Sequence, residues 1–137
     1  MDGSEDSINA SNLAIDMAKK FDASLIVVCI VSPSTYIDLG YAHVGRKKEI
    51  ESTEKKQAQQ EVDKVKKKAM EKEVTVKSDV LIKYTSIVKE IVEYAEKHKI
   101  DLIVTGSRGM TGFKKMLLGS VASGVVTYAN CPVLVVK

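Results

Sequence analysis

The sequence predicts an α/β protein, a three-layer α/β/α sandwich in which helices cover both faces of a parallel sheet. Short apolar runs rich in β-branched residues alternate along the sequence with patterns typical of amphipathic helices, and this alternation indicates a parallel sheet. The 137 residues suit one domain, 1–137, with 45% hydrophobic and 28% charged residues. No apolar run is long enough to span a membrane.

The first half of the sequence predicts a helix, a strand and a long helix. Apolar residues recur every three or four positions over 6–21, which predicts an amphipathic helix capped by Asp6 or Ser7. Residues 25–31 form an unbroken apolar run, as in a strand covered on both faces. Residues 45–72 carry a narrow apolar stripe among Lys, Glu and Gln, which predicts a long helix with a solvated face.

The second half predicts three strands and two helices. Residues 74–82 alternate apolar and polar side chains, as at a half-exposed sheet edge. Ser86 precedes a helical pattern, so we expect it to cap a helix. The remaining elements are a strand at 102–104, a helix at 120–130 and a terminal strand at 132–136.

Glycines follow the strand at 102–104 at a spacing suited to anion binding. Gly106 and Gly109 lie in the loop after this strand, and Gly119 and Ser120 directly precede a helical pattern. Glycine lets backbone N–H groups approach a phosphate closely, and the first turn of a helix offers unpaired N–H donors. Ser120 can either cap this helix or donate to a ligand. The stretch therefore indicates a phosphate site and a nucleotide-binding protein.

The spacing of these glycines is G-x2-G-x9-G-S. It is neither a Walker A loop nor the dinucleotide fingerprint G-x-G-x-x-G, but it resembles, without mismatch, the ATP-binding motif of the universal stress protein family. Residues 101–104 and 131–136 resemble that family's fourth and fifth strands, and Asp2-Gly3-Ser4 resembles the turn after its first strand. The resemblance implies a Rossmann-like fold, similar to the adenine nucleotide alpha hydrolases, and a stress-response regulator that binds ATP.

The resemblance also implies roles for individual residues. Backbone donors of the loop would wrap the phosphates, the start of the last helix would complete the pocket, and two residues would lie near the sugar and the base. These residues are, in that order, Gly106, Ser107, Arg108 and Gly109; Gly119, Ser120 and Val121; then Asp2 beside the sugar and Ile30 beside adenine. The implied ligand is ATP, or AMP or ADP, with Mg²⁺ or Mn²⁺ bound through the phosphates.

Three details leave alternatives open. Arg108 suits phosphate because it is planar and permanently charged, but on a loop it could equally point to water. Lys114 and Lys115 could add positive field to the site or belong to a solvated loop. Thr85-Ser86-Ile87 departs from the Gly-x-Pro that the family often has at this turn.

The family's first strand is central and precedes the turn at Asp2, yet this sequence begins at Met1. Strands lie about 4.8 Å apart, so without this strand a gap of about twice that width, lined by unpaired backbone groups, would remain. We expect Met1 to be an internal methionine of a longer natural protein. Alternatively, the second and fourth strands pair with each other, or a partner supplies the strand.

Residues 106–137 contain few side chains that could catalyse hydrolysis. Hydrolysis of ATP needs a positioned water, an orienting or basic group and usually a metal, and no Asp, Glu or His lies between Gly106 and Lys137. The favoured hypothesis is therefore a nucleotide-binding module. The alternatives are a nucleotide-free dimerisation module, against which the intact motif argues, and a slow ATPase or self-phosphorylating enzyme.

Charge and cysteines bear on partners and location. The net charge of +3 is mild and gives no case for nucleic acid, which usually needs a concentrated basic face. Cys29 and Cys131 lie in or beside apolar strand patterns, which favours free thiols in a reducing cytoplasm over a disulfide. His43 and His98 have no partners at metal-ligand spacing, so we expect no metal site built from side chains.

The last strand bears on assembly. Val133 to Val136 form an apolar run at what should be a sheet edge, and such an edge invites pairing with another polypeptide. The family commonly dimerises through this strand, so the resemblance implies a homodimer with two-fold symmetry.

Overall fold

A computed structural model of the protein describes residues 1–32, 44–110 and 118–137. Within these ranges it contains helices and parallel strands in the predicted order, so the predicted α/β class is confirmed. The elements are α1 (Glu5–Phe21), β1 (Leu25–Val31), α2 (Val44–Glu71), β2 (Val76–Ile82), α3 (Ile87–Lys97), β3 (Ile103–Gly106), α4 (Ser120–Tyr128) and β4 (Val133–Val136). Their bounds lie within about two residues of the predicted ones.

Helix α1 is capped by Ser4, so the prediction of Asp6 or Ser7 as its cap is wrong. The Oγ atom of Ser4 accepts a hydrogen bond from the amide nitrogen of Ser7 at 3.3 Å. Glu5 and Asp6 then fall in the first turn, where negative charge is favourable beside the positive end of the helix dipole. The helix ends before Asp22, whose backbone is left-handed (φ 50°, ψ 42°).

The strands form two separate parallel pairs within the described residues. Strand β1 pairs with β2, from Leu25 opposite Val76 to Val31 opposite Ile82. Strand β3 pairs with β4, from Ile103 opposite Val133 onward. Because β1 and β3 are not hydrogen-bonded to each other, the alternative that these two strands close the sheet is wrong. In the described part of the structure a gap separates the two pairs.

Two groups of helices cover these strand pairs. Helix α2 packs on β1 and β2, α1 contacts both pairs, and α3 and α4 contact each other. Ile15 of α1 and Val62 of α2 are fully buried in the larger apolar cluster. The other buried members of that cluster are Ala18, Val27, Cys29, Val65, Ala69 and Val74. Val125 of α4 is also fully buried. None of the described helices combines the length and the apolar character needed to cross a membrane.

The end of β3 lies directly against the first turn of α1. A Cβ atom on Gly106 would lie 2.7 Å from the carbonyl carbon of Asp6 and 2.8 Å from the amide nitrogen of Ser7. No larger residue fits at this position unless the backbone moves. This contact brings the loop after β3 beside the start of α1.

Candidate functional site

The two halves of the glycine motif meet in the structure. The amide nitrogen of Gly119 donates a hydrogen bond to the carbonyl oxygen of Ser107 at 2.7 Å. A Cβ atom on Gly119 would lie 3.2 Å from that oxygen and 3.4 Å from the Cα of Arg108, a close approach that glycine permits. The start of α4 is therefore held beside the loop that leaves β3. The connecting residues 111–117, which include Lys114 and Lys115, lie outside the described residues.

The start of α4 offers backbone donors. Gly119, not Ser120, is the N-cap, with an extended backbone (φ −71°, ψ 160°) and no capping hydrogen bond from its own residue. The first N–H bonded within the helix is that of Ser123, which donates to the carbonyl of Gly119 at 2.9 Å. The preceding N–H groups of Ser120, Val121 and Ala122 have no intrahelical partner, as in the first turn of any α-helix. They are suited to an anion.

Ser107 is an anchor of the loop. It is 1% exposed, and its Oγ donates a hydrogen bond to Oδ2 of Asp6 at 2.7 Å. Its amide nitrogen donates to the carbonyl of Val136 at 2.7 Å. Both groups of Ser107 that could donate to a ligand are thus used within the protein, and its role in the site is to fix the position of its neighbours.

Arg108 is also held by Asp6. Its Nε donates to Oδ2 of Asp6 at 3.1 Å, while its side chain remains 37% exposed. The hydrogen bond from Ser107 and then the contacts with Arg108 hold the pKa of Asp6 below its ordinary value of 3.8. Because a guanidinium carries five N–H donors, this contact through Nε leaves the terminal nitrogens able to donate to another anion.

Asp6 is a site residue that the sequence does not reveal. Its position near the start of a predicted helix indicates a cap, and capping explains an aspartate there without any other role. The carboxylate instead reaches Ser107, 101 residues away along the sequence. Asp6 is 8% exposed, and burial of a carboxylate beside a guanidinium is the feature that identifies it once the fold is known.

Asp2 contacts the loop at a later residue than Asp6 does. Its Oδ1 accepts hydrogen bonds from the amide nitrogen of Ser4 at 3.0 Å and from the Ser4 hydroxyl at 2.6 Å. Its Oδ2 accepts from the amide nitrogen of Met110 at 3.3 Å. Gly3 between these residues has φ 81°, which allows the tight turn. Burial raises the pKa of Asp2, but hydrogen bonds from Ser4 and Ser7 and the charge of the Met1 amine outweigh it and lower the pKa below 3.8.

All of the residues implied by the resemblance line one cavity. Its volume is 940 Å³, and it reaches from the loop at 106–110 and the start of α4 to Asp2 and Ile30. The charged groups described at its loop end are the carboxylates of Asp2 and Asp6, the guanidinium of Arg108 and the amine of Met1. These charges balance, so backbone amides are the main attraction for an anion in the described part of the site.

The fold is that of a Rossmann-like α/β protein. It has two parallel strand pairs, helices packed around them, and a glycine loop between the end of a strand and the start of a helix. The model of the universal stress protein family matches residues 1–137, and the chain belongs to that family. A universal stress protein of Methanocaldococcus jannaschii is 43% identical over 136 residues, which covers 99% of this chain and 78% of that protein. The structure of the universal stress protein UspA from Lactobacillus plantarum has a TM-score of 0.85 at 24% identity, over 100% of this chain and 93% of that one, and supports the fold.

Two further solved structures of this fold contain nucleotides. One is a universal stress protein in complex with cAMP, with a TM-score of 0.67 at 23% identity over 100% of this chain and 91% of that one. The other is the universal stress protein from Archaeoglobus fulgidus in complex with dAMP, with a TM-score of 0.63 at 21% identity over 100% of this chain and 92% of that one. At these sequence identities, the similarity of the two structures to this protein supports a shared fold only.

The contact of Asp6 with the loop predicts a specific pH dependence. Because the pKa of Asp6 is lowered in the folded protein, its contribution to stability is present above the ordinary value of 3.8 and is lost as the pH falls through the folded-state pKa. Asp6→Asn should lower the melting temperature at neutral pH, since the charge that faces Arg108 is removed. The variant should then lose less stability than the parent between about pH 5 and about pH 2, as measured by thermal unfolding with circular dichroism.

The matched control for this experiment is Asp101→Asn, which changes an exposed aspartate just before β3. Its melting temperature should follow the parent profile at every pH. If Asp6→Asn kept the full acid-dependent loss of the parent, the contact with Ser107 and Arg108 would contribute nothing to stability.

Proposed function

We propose that the protein binds ATP as a regulatory module. The observation that supports this most directly is the hydrogen bond from Gly119 to Ser107 at 2.7 Å, because it holds the free N–H groups of α4 beside the loop after β3. Two sets of backbone donors then converge on one end of a cavity. The cAMP and dAMP complexes of related folds support an adenine nucleotide as the ligand class.

The proposed orientation follows the polarity of the cavity. The phosphates lie against Gly106 to Gly109 and the start of α4 at Gly119 to Val121, where Arg108 adds a permanent positive charge. Asp2 lies on the sugar side, and Ile30 of β1 offers an apolar surface to adenine. AMP and ADP fit the same orientation with fewer phosphates. A Mg²⁺ or Mn²⁺ ion is held through the phosphates.

Binding is favoured over turnover. Residues 106–137 contain no Asp, Glu or His, and the carboxylate of Asp6, which reaches the loop from α1, already accepts hydrogen bonds from Ser107 and Arg108. A base for water must be free to accept its proton. We further propose a cytoplasmic location, which is supported by the free thiols of Cys29 and Cys131.

Bulky residues at the two glycines beside the loop should weaken ATP binding. A Cβ atom on Gly109 would lie 2.8 Å from Oδ2 of Asp2, and one on Gly119 would lie 3.2 Å from the carbonyl oxygen of Ser107. Gly109→Val and Gly119→Val should each raise the Kd for MgATP by at least about tenfold, or about 1.4 kcal/mol. Isothermal titration calorimetry measures the change, with circular dichroism to establish that each variant is folded.

Val126→Ala is the control for these substitutions. Val126 lies on α4, is 50% exposed and does not line the cavity, so the Kd of this variant should equal that of the parent. Unchanged affinity in folded Gly109→Val and Gly119→Val would contradict the proposed site. The absence of any thermal shift with millimolar ATP would favour the nucleotide-free module, since ligand at about 100 times its Kd stabilises by about 2.7 kcal/mol. Multiple-turnover phosphate release would favour the ATPase.

We also propose a homodimer that forms through the outer edge of β4. The amide nitrogen of Ile103 donates to the carbonyl of Pro132, and that of Ser107 donates to the carbonyl of Val136. In a parallel pair the backbone groups of alternate residues face opposite sides, so those of Val133 and Val135 face away from β3. This leaves an apolar edge that can pair with a second copy.

Val135→Pro should convert the dimer to a monomer. Proline removes the outward N–H of residue 135 and keeps every hydrogen bond that β4 makes to β3, so the fold should survive. Val135→Thr retains the N–H and should remain dimeric. Light scattering coupled to size-exclusion chromatography gives the mass of each, and a monomeric parent protein would contradict the proposed interface.

A further inference from the structure

The outer edge of β2 is open in the described part of the structure. The amide nitrogen of Leu25 donates to the carbonyl of Thr75 at 2.8 Å, and the amide nitrogen of Lys83 donates to the carbonyl of Val31 at 2.9 Å. Because backbone groups alternate along a parallel strand, the odd-numbered residues of β2 bond toward β1. The even-numbered residues 76, 78, 80 and 82 direct their N–H and C=O groups outward, where β2 has no other described strand beside it.

The side chains of β2 divide between its two faces. Val76 and Val80 pack against the larger apolar cluster, which includes residues of α2. Lys77 and Asp79 lie on the other face and are exposed. Oδ2 of Asp79 accepts a hydrogen bond from the hydroxyl of Tyr94 on α3, which leaves its Oδ1 able to accept another. No hydrogen bond or ion pair joins the ammonium of Lys77 to a described residue. This face therefore carries one positive and one negative charge two residues apart.

The two charges select one register for a second copy of the same strand. In an antiparallel pair with a two-fold axis, outward-facing residues lie opposite each other, so the axis passes through a residue. An axis at Lys77 would set two lysines opposite each other, and an axis at Asp79 would set two aspartates opposite each other. An axis at Ser78 instead sets Lys77 of each copy opposite Asp79 of the other. Opposite charges across a strand pair are favourable and like charges are unfavourable.

The register at Ser78 also satisfies the backbone and the apolar positions. Ser78 of one copy exchanges both hydrogen bonds with Ser78 of the other, and Val76 does the same with Val80. The two valines then lie opposite each other on the face that packs against the apolar cluster. An axis at Val76 or at Val80 pairs fewer residues of the strand and gives neither Lys77 nor Asp79 an opposite charge.

We infer that the outer edge of β2 is a self-association surface, at which a second copy of this protein pairs antiparallel about a two-fold axis at Ser78. A contact through one strand of seven residues is small, and interfaces below about 1,200 Å² bind weakly. The association therefore forms at high protein concentration. Since β2 and β4 belong to different strand pairs, this surface is separate from the proposed edge of β4, and the inference depends neither on that edge nor on nucleotide binding.

Sedimentation velocity on the Val135→Pro variant measures this association without a contribution from β4. The variant stays monomeric at the low concentrations of size-exclusion chromatography. Its weight-average mass should rise toward twice the monomer mass as the protein concentration approaches about 1 mM, the range of a weak complex.

Amide hydrogen exchange in the parent protein locates the contact. As the protein concentration rises toward about 1 mM, exchange measured by NMR should slow by about twofold or more at Ser78 and Val80, whose N–H groups face outward. The amide of Asp79 faces β1 and is the internal control, since its exchange should not follow the protein concentration.

Charge reversal tests the register. In the Val135→Pro background, Lys77→Asp and Asp79→Lys should each raise the dissociation constant of the dimer by about tenfold or more, because each sets two pairs of like charges across the edge. An equimolar mixture of these two variants should associate as the parent background does, since every mixed pair brings opposite charges together again. Lys20→Asp makes the same change of charge as Lys77→Asp at an exposed position on α1 and should have no effect.

Four results would overturn the inference. They are a monomeric mass up to about 1 mM, single variants that associate as well as the parent background, a mixture that stays monomeric, and concentration-dependent protection that spares Ser78. Because the mixture contains the same two proteins that fail to associate alone, its recovery also shows that neither substitution acts by unfolding the protein.

Discussion

The approach of the first turn of α1 to the end of β3 is the constraint that positions everything else in the fold. Within the described residues the strands form two separate pairs, and α1 contacts both of them. Gly106 permits backbone contact with Asp6 and Ser7, and the Asp6 carboxylate then binds Ser107 and Arg108. A single carboxylate therefore fixes two consecutive residues of the loop.

Because of this contact, some polar groups of the loop hold the fold together and others remain able to bind a ligand. The hydroxyl of Ser107 and the Nε of Arg108 are used by Asp6, and Asp2 accepts a hydrogen bond from the amide nitrogen of Met110. Among the described residues, the groups left for an anion are the amide of Gly109, the amides at the start of α4 and the outer nitrogens of Arg108. A site made mainly of fixed amides binds negative charge without a large net positive charge, which agrees with a net charge of only +3.

Features that depend on local sequence could be predicted. The unbroken apolar run predicts strand β1, and the glycine spacing predicts the loop between β3 and α4. Each of these signals lies within a short stretch of sequence, so the bounds of the elements could also be predicted. Features that depend on distant contacts could not. Asp6 and Ser7 are both residue types that cap helices, whereas the Asp6 side chain bonds to a residue 101 positions away. The sequence indicates a gap between β1 and β3 but leaves open whether the two strands pair with each other, because such long-range pairing is not set by the residues of either strand alone. The role of Arg108 is open in the sequence for the same reason, since its partner is set by the fold.

Binding of the ATP phosphates by backbone amides of the loop and of the start of α4 can be measured directly. In an NMR titration of ¹⁵N-labelled protein with MgATP, each amide reports its own change in environment. We expect saturable shifts that are largest at Gly109 and at Ser120 to Ala122, with small shifts in α2. Saturable shifts confined to other surfaces, with the amides of the loop and of α4 unchanged, would contradict the proposed site.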